Sequence, residues 1–136
     1  MPKAPEKKLT YSISQLAAEF EISPRSIRFY EEKGLISPRR TNGNQRIYDK
    51  RDRARLKLIL RGKRFGYSLE EIAEMIGMTD TNLDEITQIE RSLKYGDKKL
   101  LEIRRHIQDL ELLEQDILSV RKKLVQRLEE LHNKEG

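Results

Sequence analysis

The chain has 136 residues, no cysteine and no tryptophan, and its 28 Lys and Arg outnumber 23 Asp and Glu for a net charge of +5. Hydrophobic residues make up 36% and charged residues 38%, so the core must be thin, and a large concave enzyme pocket is not expected. Without thiols there is no disulfide, no thiolate metal or iron-sulfur site and no cysteine nucleophile, and two histidines, His106 and His132, are too few for a histidine metal cage. No cofactor is expected. The opening MPKAPEKKLT carries no apolar run, and nowhere do enough apolar residues follow one another to cross a bilayer, so the expected location is the cytoplasm and no membrane partner is expected.

The charge is concentrated. Residues 24–66 hold 14 basic residues against four acidic ones, whereas residues 67–136 hold 11 basic and 16 acidic. A basic head joined to a mildly acidic tail attracts polyanions, and counterion release from phosphates favours nucleic acid over a membrane surface.

In chain order, residues 1–10 are polar and carry Pro2 and Pro5, which predicts a flexible arm. Ser14 is a candidate cap for a short helix, Gln15 to Phe20, that buries Leu16, Ala17 and Phe20. Ser23 followed by Pro24 starts a second helix over 24–33, which Gly34 stops. Two short helices joined by a tight turn make a helix-turn-helix, whose second helix can enter a major groove. Asn42-Gly43, between ISPRR and QRIYD, predicts a two-stranded hairpin with two positive φ angles, a wing. Asp49 caps a third helix over about 50–64 with Leu56, Ile59 and Leu60 inward, ended by Gly66. Ser68 and Glu71 form a capping box for a fourth helix that turns Leu69, Ile72 and Ile76 inward before Gly77. The winged helix-turn-helix head thus spans 11–78.

Residues 84–132 repeat with a 3.5-residue period. With Ile86 at position a, the a and d sites include Leu100, Ile103, Ile107, Leu110, Ile117, Leu124, Leu128 and Leu131, and 11 of 14 sites are apolar; the exceptions are Gly96, Glu114 and Arg121. This is a long helix whose seam needs a partner. A second copy is the expected one, and the alternative is a helix folded back on the head. Gly96 weakens the helix and is a candidate for its true start. A parallel pair would set Glu114 against Glu114 and Arg121 against Arg121, so an antiparallel dimerisation coiled coil is expected.

Arg25 and Arg28, three apart on one face of the second helix, are candidates for reading guanine edges, although Arg25 has Glu21 and Glu32 within helical reach as alternative partners. Tyr30 offers a hydroxyl to phosphate, and Phe29 is assigned to packing. Arg39, Arg40 and Arg46 flank the hairpin and suit phosphate or minor-groove contact, while Tyr48 either touches the DNA backbone or, the favoured reading, braces the wing on the head. Lys63 and Arg64 can clamp the DNA backbone and also answer the dipole of their helix. There is no phosphate loop, dinucleotide fingerprint or metalloprotease motif, so no catalytic residues are assigned and the chain reads as a non-enzyme.

The stretches SISQLAAEFEISPRSIRFYEEKGLISP, GNQRIYDKRD and FGYSLEEIAEMI, in that order and followed by the periodic tail, resemble the MerR family of transcription regulators over nearly the whole chain. The resemblance implies a homodimer on a palindromic promoter operator that untwists an overlong spacer so that RNA polymerase can engage. With no cysteine for a metal or iron-sulfur cluster, three alternatives stay open for the effector: a small organic molecule, a partner protein or no ligand. Glu21 stands where many relatives carry a turn glycine, which implies a different first turn, and the cysteines with which relatives bind metal or sense redox state are absent, as is a large effector domain. The competing class is a coiled-coil assembly protein whose basic head binds RNA or a partner protein. An Asn-Gly hairpin flanked by arginines argues against it.

Overall fold

The computed structural model describes residues 9–77 and 84–135, so most of the expected arm and the end of the expected head at residue 78 lie outside the described residues. The elements are β1 (Thr10–Tyr11), α1 (Ile13–Phe20), α2 (Pro24–Glu32), β2 (Arg39–Arg40), β3 (Arg46–Asp49), α3 (Lys50–Arg64), α4 (Leu69–Ile76) and α5 (Glu85–Glu135). The chain divides into two compact units, Met1–Ser92 and Leu93–Gly136.

In the first unit, helix starts follow side-chain capping. Ser12, not Ser14, caps α1: its hydroxyl accepts the N–H of Gln15, and the Gln15 side chain accepts the N–H of Ser12. The reciprocal pair satisfies two otherwise orphaned donors, which a Ser14 cap with Ala17 three residues on cannot match. Ser23 with Pro24, Asp49 with Asp52, and Ser68 with Glu71 start α2, α3 and α4 where expected. Gly34, Gly66 and Gly77 all lie at positive φ just after helices.

The turn between α1 and α2 corrects an expectation. Glu21 caps α1 with φ 55 and ψ 45, the left-handed conformation that glycine adopts without strain, so the turn glycine's geometry is kept by a residue with a Cβ. The hairpin is also built differently from the two-residue turn expected of Asn42-Gly43. Thr41 donates its N–H to the Gln45 carbonyl at 2.9 Å, Asn44 donates to the Thr41 carbonyl at 2.8 Å, and Asn44 takes the positive φ, 64°. This is a three-residue loop ending in a left-handed residue, a role that asparagine tolerates.

The wing is wider than a hairpin. β3 pairs antiparallel with β2, matching Arg39 to Ile47 and Arg40 to Arg46, and on its other edge with β1, matching Thr10 to Asp49 and Tyr11 to Tyr48. Thr10, placed in the arm by composition, is therefore a strand residue. The core beneath gathers Leu16, Ala17, Ile27, Leu35, Ile36, Tyr48, Leu56, Ile59 and Ile72, drawn from every helix of the head and from the wing. Arg53 ties α3 to α1: its guanidinium pairs with Glu19 and lies over the rings of Tyr11 and Phe20, and this pairing holds the Glu19 carboxyl below its ordinary value.

α5 is continuous over its 51 residues, passing through Gly96, so Gly96 is not its start. Asp84 caps it, accepting the N–H of Thr87 at 2.8 Å and its hydroxyl at 3.0 Å. The apolar a and d residues from Leu100 to Leu131 are 38% to 63% exposed in the single chain. Among the described residues no helix is long and apolar enough to cross a membrane.

Candidate nucleic-acid interface

α2 buries Ile27 and half-buries Tyr30, which leaves Arg25, Arg28, Phe29, Glu32 and Lys33 on its solvent side at helical spacings of three and four. Arg25 and Arg28 are exposed and enter no ion pair among the described residues, so neither Glu21 nor Glu32 occupies Arg25. Both guanidinium forks are available for a bidentate contact with guanine. The packing expected of Phe29 does not hold, and its neighbour Tyr30 is the partly buried aromatic. Tyr30 packs against the core and its hydroxyl pKa is raised by burial, so it stays a proton donor, while Phe29 is 43% exposed with the Lys33 ammonium 5.5 Å from its ring centre. Phe29 thus stands on the face that a groove would meet. Its spacing of four from Arg25 was the available signal; its apolar character pointed the other way.

Tyr48 is fully buried, which removes it from the DNA-contacting set and leaves bracing as its role. Its hydroxyl has no hydrogen-bond partner among the described residues. Burial first, then the nearby Glu31 carboxylate, pushes its pKa up to about 12.

The wing arginines differ in situation. Arg39 is exposed. Arg40 is partly exposed and donates through Nη1 to the Asn44 carbonyl at 3.3 Å, with Nη2 3.9 Å from Glu31 Oε1. Arg46 is not free: its Nε donates to Glu31 Oε2 at 2.7 Å. Arg46 also lines a polar concavity of about 350 Å3 with Ser12, Ile13, Ser14, Asn44 and Gln45, between the start of α1 and the wing loop. Composition and spacing did not disclose Glu31, since it lies 15 residues from Arg46.

Lys63 and Arg64 are both exposed, but adjacent helical positions point apart. Arg64 shares a shallow concavity with Lys57 and Arg61, beside Phe20 at the end of α1 and Glu21 and Ile22 in the turn that follows; Lys63 does not line it. Lys57 and Arg61, four apart on the outer basic face of α3, are not among the expected contact residues. Among the described residues no group of three or more His, Asp or Glu is placed to hold a metal ion.

A helix that presents two exposed arginines after a short helix and turn, flanked by a basic wing, defines a winged helix-turn-helix DNA-binding protein. A profile described as MerR HTH family regulatory protein matches residues 11–79, and one described as MerR, DNA binding, matches residues 53–120. The chain is 31% identical over 111 residues to the HTH-type transcriptional regulator CueR of Salmonella typhi, covering 80% of this chain and 78% of that one. It is 33% identical over 104 residues to the mercuric resistance operon regulatory protein of Shigella flexneri, covering 76% and 69%. A solved MerR-family transcriptional regulator from Bacillus thuringiensis shares the fold with a TM-score of 0.62 at 24% identity, covering 87% and 99%. The chain belongs to the MerR family and is a DNA-binding transcriptional regulator.

Proposed function

We propose that the protein acts as a homodimer on a palindromic promoter operator, with Arg25 and Arg28 reading bases and Arg39, Arg40, Arg46, Tyr30, Lys63 and Arg64 holding the DNA backbone. The observation that carries this reading is the pair of unpaired, exposed guanidinium groups of Arg25 and Arg28 on the outer face of α2. Hydrogen bonds to base edges specify sequence, whereas phosphate contacts set register.

The uncovered seam of α5 supports the dimer. Its apolar a and d residues, Leu100, Ile103, Ile107, Leu110, Ile117, Leu124, Leu128 and Leu131, need a second helix of similar length, and a second copy offers one. Glu114 and Arg121 interrupt the seam. An antiparallel arrangement pairing Leu100 with Leu131 and Ile107 with Leu124 of the second copy brings Glu114 near the second copy's Arg121 and avoids facing like charges. Two tethered heads bind two half-sites at high effective concentration. Distortion of the promoter spacer, engagement of RNA polymerase and response to a small organic effector complete the proposal, and the cytoplasm is the compartment where that chemistry is available.

The test is selection from random duplexes followed by sedimentation of the complex. The expected result is a two-fold symmetric sequence carrying two chains per duplex. Equal binding to every duplex, or to an RNA in preference to any duplex, would favour the coiled-coil assembly protein instead.

A further inference from the structure

Glu31 is an acidic residue in the last turn of the helix that faces DNA, where its charge should repel phosphate, yet it is three-quarters buried and holds two wing arginines. One carboxylate oxygen accepts the Arg46 Nε hydrogen at 2.7 Å and the other lies 3.9 Å from Arg40 Nη2. Arg40 and Arg46 are cross-strand partners, and like charges directly opposite one another destabilise a two-stranded ribbon. The carboxylate sits between them. It also leaves the two terminal nitrogens of Arg46 with no protein partner among the described residues, and Arg46 lines the polar concavity between the start of α1 and the wing loop.

We infer that Glu31 is a positioning residue for operator recognition: by fixing Arg46 through Nε, it aims the remaining guanidinium donors at a DNA phosphate and locks the wing to the recognition helix. A guanidinium suits this double duty because its five donors lie in one rigid plane, so anchoring one edge orients the other. A phosphate contact of fixed direction sets the register in which Arg25 and Arg28 meet the bases. This inference rests on the proposed reading of the operator by α2.

The competing account treats Glu31 as a surface anion beside DNA, and the two accounts differ in sign. Removing a repelling charge raises affinity for all duplexes alike. Removing a positioning group lowers preference for the right sequence. The experiment measures binding of the full-length chain to a duplex selected by the wild-type protein and to a scrambled duplex of equal length and composition, over a range of salt concentrations. For Glu31→Ala the preference should fall about tenfold while affinity for the scrambled duplex stays level or rises. Glu31→Gln, which keeps an oxygen to accept from Nε, should retain most of the preference. Arg46→Lys keeps the charge but lacks the fork, so it should lose preference as Glu31→Ala does, and the double variant should be no worse than either single one.

Thermal melting establishes that each variant is folded, and should Glu31→Ala not fold, Glu31→Gln and Arg46→Lys carry the test. Wild-type protein with no preference between duplexes would defeat the proposed function itself. Wild-type preference that survives unchanged in Glu31→Ala, or in Arg46→Lys, would overturn the positioning role alone.

Discussion

Asp52 and Ser37 join the exit of α2 to the helix that follows the wing. The Asp52 carboxylate is buried, and its Oδ1 accepts the Ser37 N–H at 3.0 Å while its Oδ2 accepts the Asp49 N–H at 3.1 Å. One side chain therefore both closes the capping box of α3 and fixes the chain where it enters the wing. Asp52→Ala leaves two backbone donors without this acceptor and should destabilise the head by about 2 to 3 kcal/mol in urea titration. A loss under about 0.5 kcal/mol would show that water satisfies both groups at little cost.

Tyr48 predicts two outcomes of one burial. Because its hydroxyl is buried without a hydrogen-bond partner, Tyr48→Phe should leave stability unchanged or raise it by up to about 1 kcal/mol and should leave DNA affinity unaltered. With a folded-state pKa near 12, above the ordinary value of 10.0, ionisation of the hydroxyl leaves stability unchanged below pH 10, and stability falls as pH rises from 10 through 12 because the unfolded chain gives up that proton first. Urea midpoints at high pH should thus fall less in Tyr48→Phe than in wild type. A large loss of DNA affinity in Tyr48→Phe would restore the hydroxyl as a DNA contact.

Glu21 occupies a left-handed turn at φ 55. Glu21→Gly should raise the stability of the head by about 0.5 to 1 kcal/mol, because relief of the Cβ strain outweighs the added freedom of the unfolded chain. Thermal melting checks this, and a lowered melting temperature would mean that the Glu21 side chain contributes more than its backbone costs.

In the proposed antiparallel dimer, Glu114→Lys should weaken association, and adding Arg121→Glu should restore it. Within their own helix the neighbours of Arg121 three and four residues away, Ile117, Leu118, Leu124 and Val125, are all apolar, so no opposite charge awaits it there. Each exposed cross-seam pair contributes about 1 kcal/mol or less, and symmetry supplies two. Sedimentation equilibrium reads the change, and a double variant no tighter than the single ones would remove this support for the antiparallel arrangement.

Legibility followed the range of each interaction. Asp49 with Asp52 and Ser68 with Glu71 are local pairs, so α3 and α4 were readable to the residue at their starts. Ser12 with Gln15 carried the same signal and was passed over for Ser14, a choice the three-residue spacing to Gln15 would have decided. Asn44 was harder, because asparagines stand on both sides of Gly43 and either tolerates positive φ. The link from Glu31 to Arg46 and the pairing of Tyr11 with Tyr48 span 15 and 37 positions, and no periodicity encodes them. Phe29 does face away from Tyr30, but that direction is the solvent side of α2, one turn beyond Arg25, and not the core.

The most direct test of sequence reading by α2 is Arg28→Ala in the full-length chain, measured against the selected and the scrambled duplex at one salt concentration. Loss of a bidentate base contact worth about 1 to 3 kcal/mol should cut the preference by roughly five- to 150-fold while affinity for the scrambled duplex changes little. Equal loss on both duplexes would contradict base readout and return Arg28 to the role of a phosphate contact.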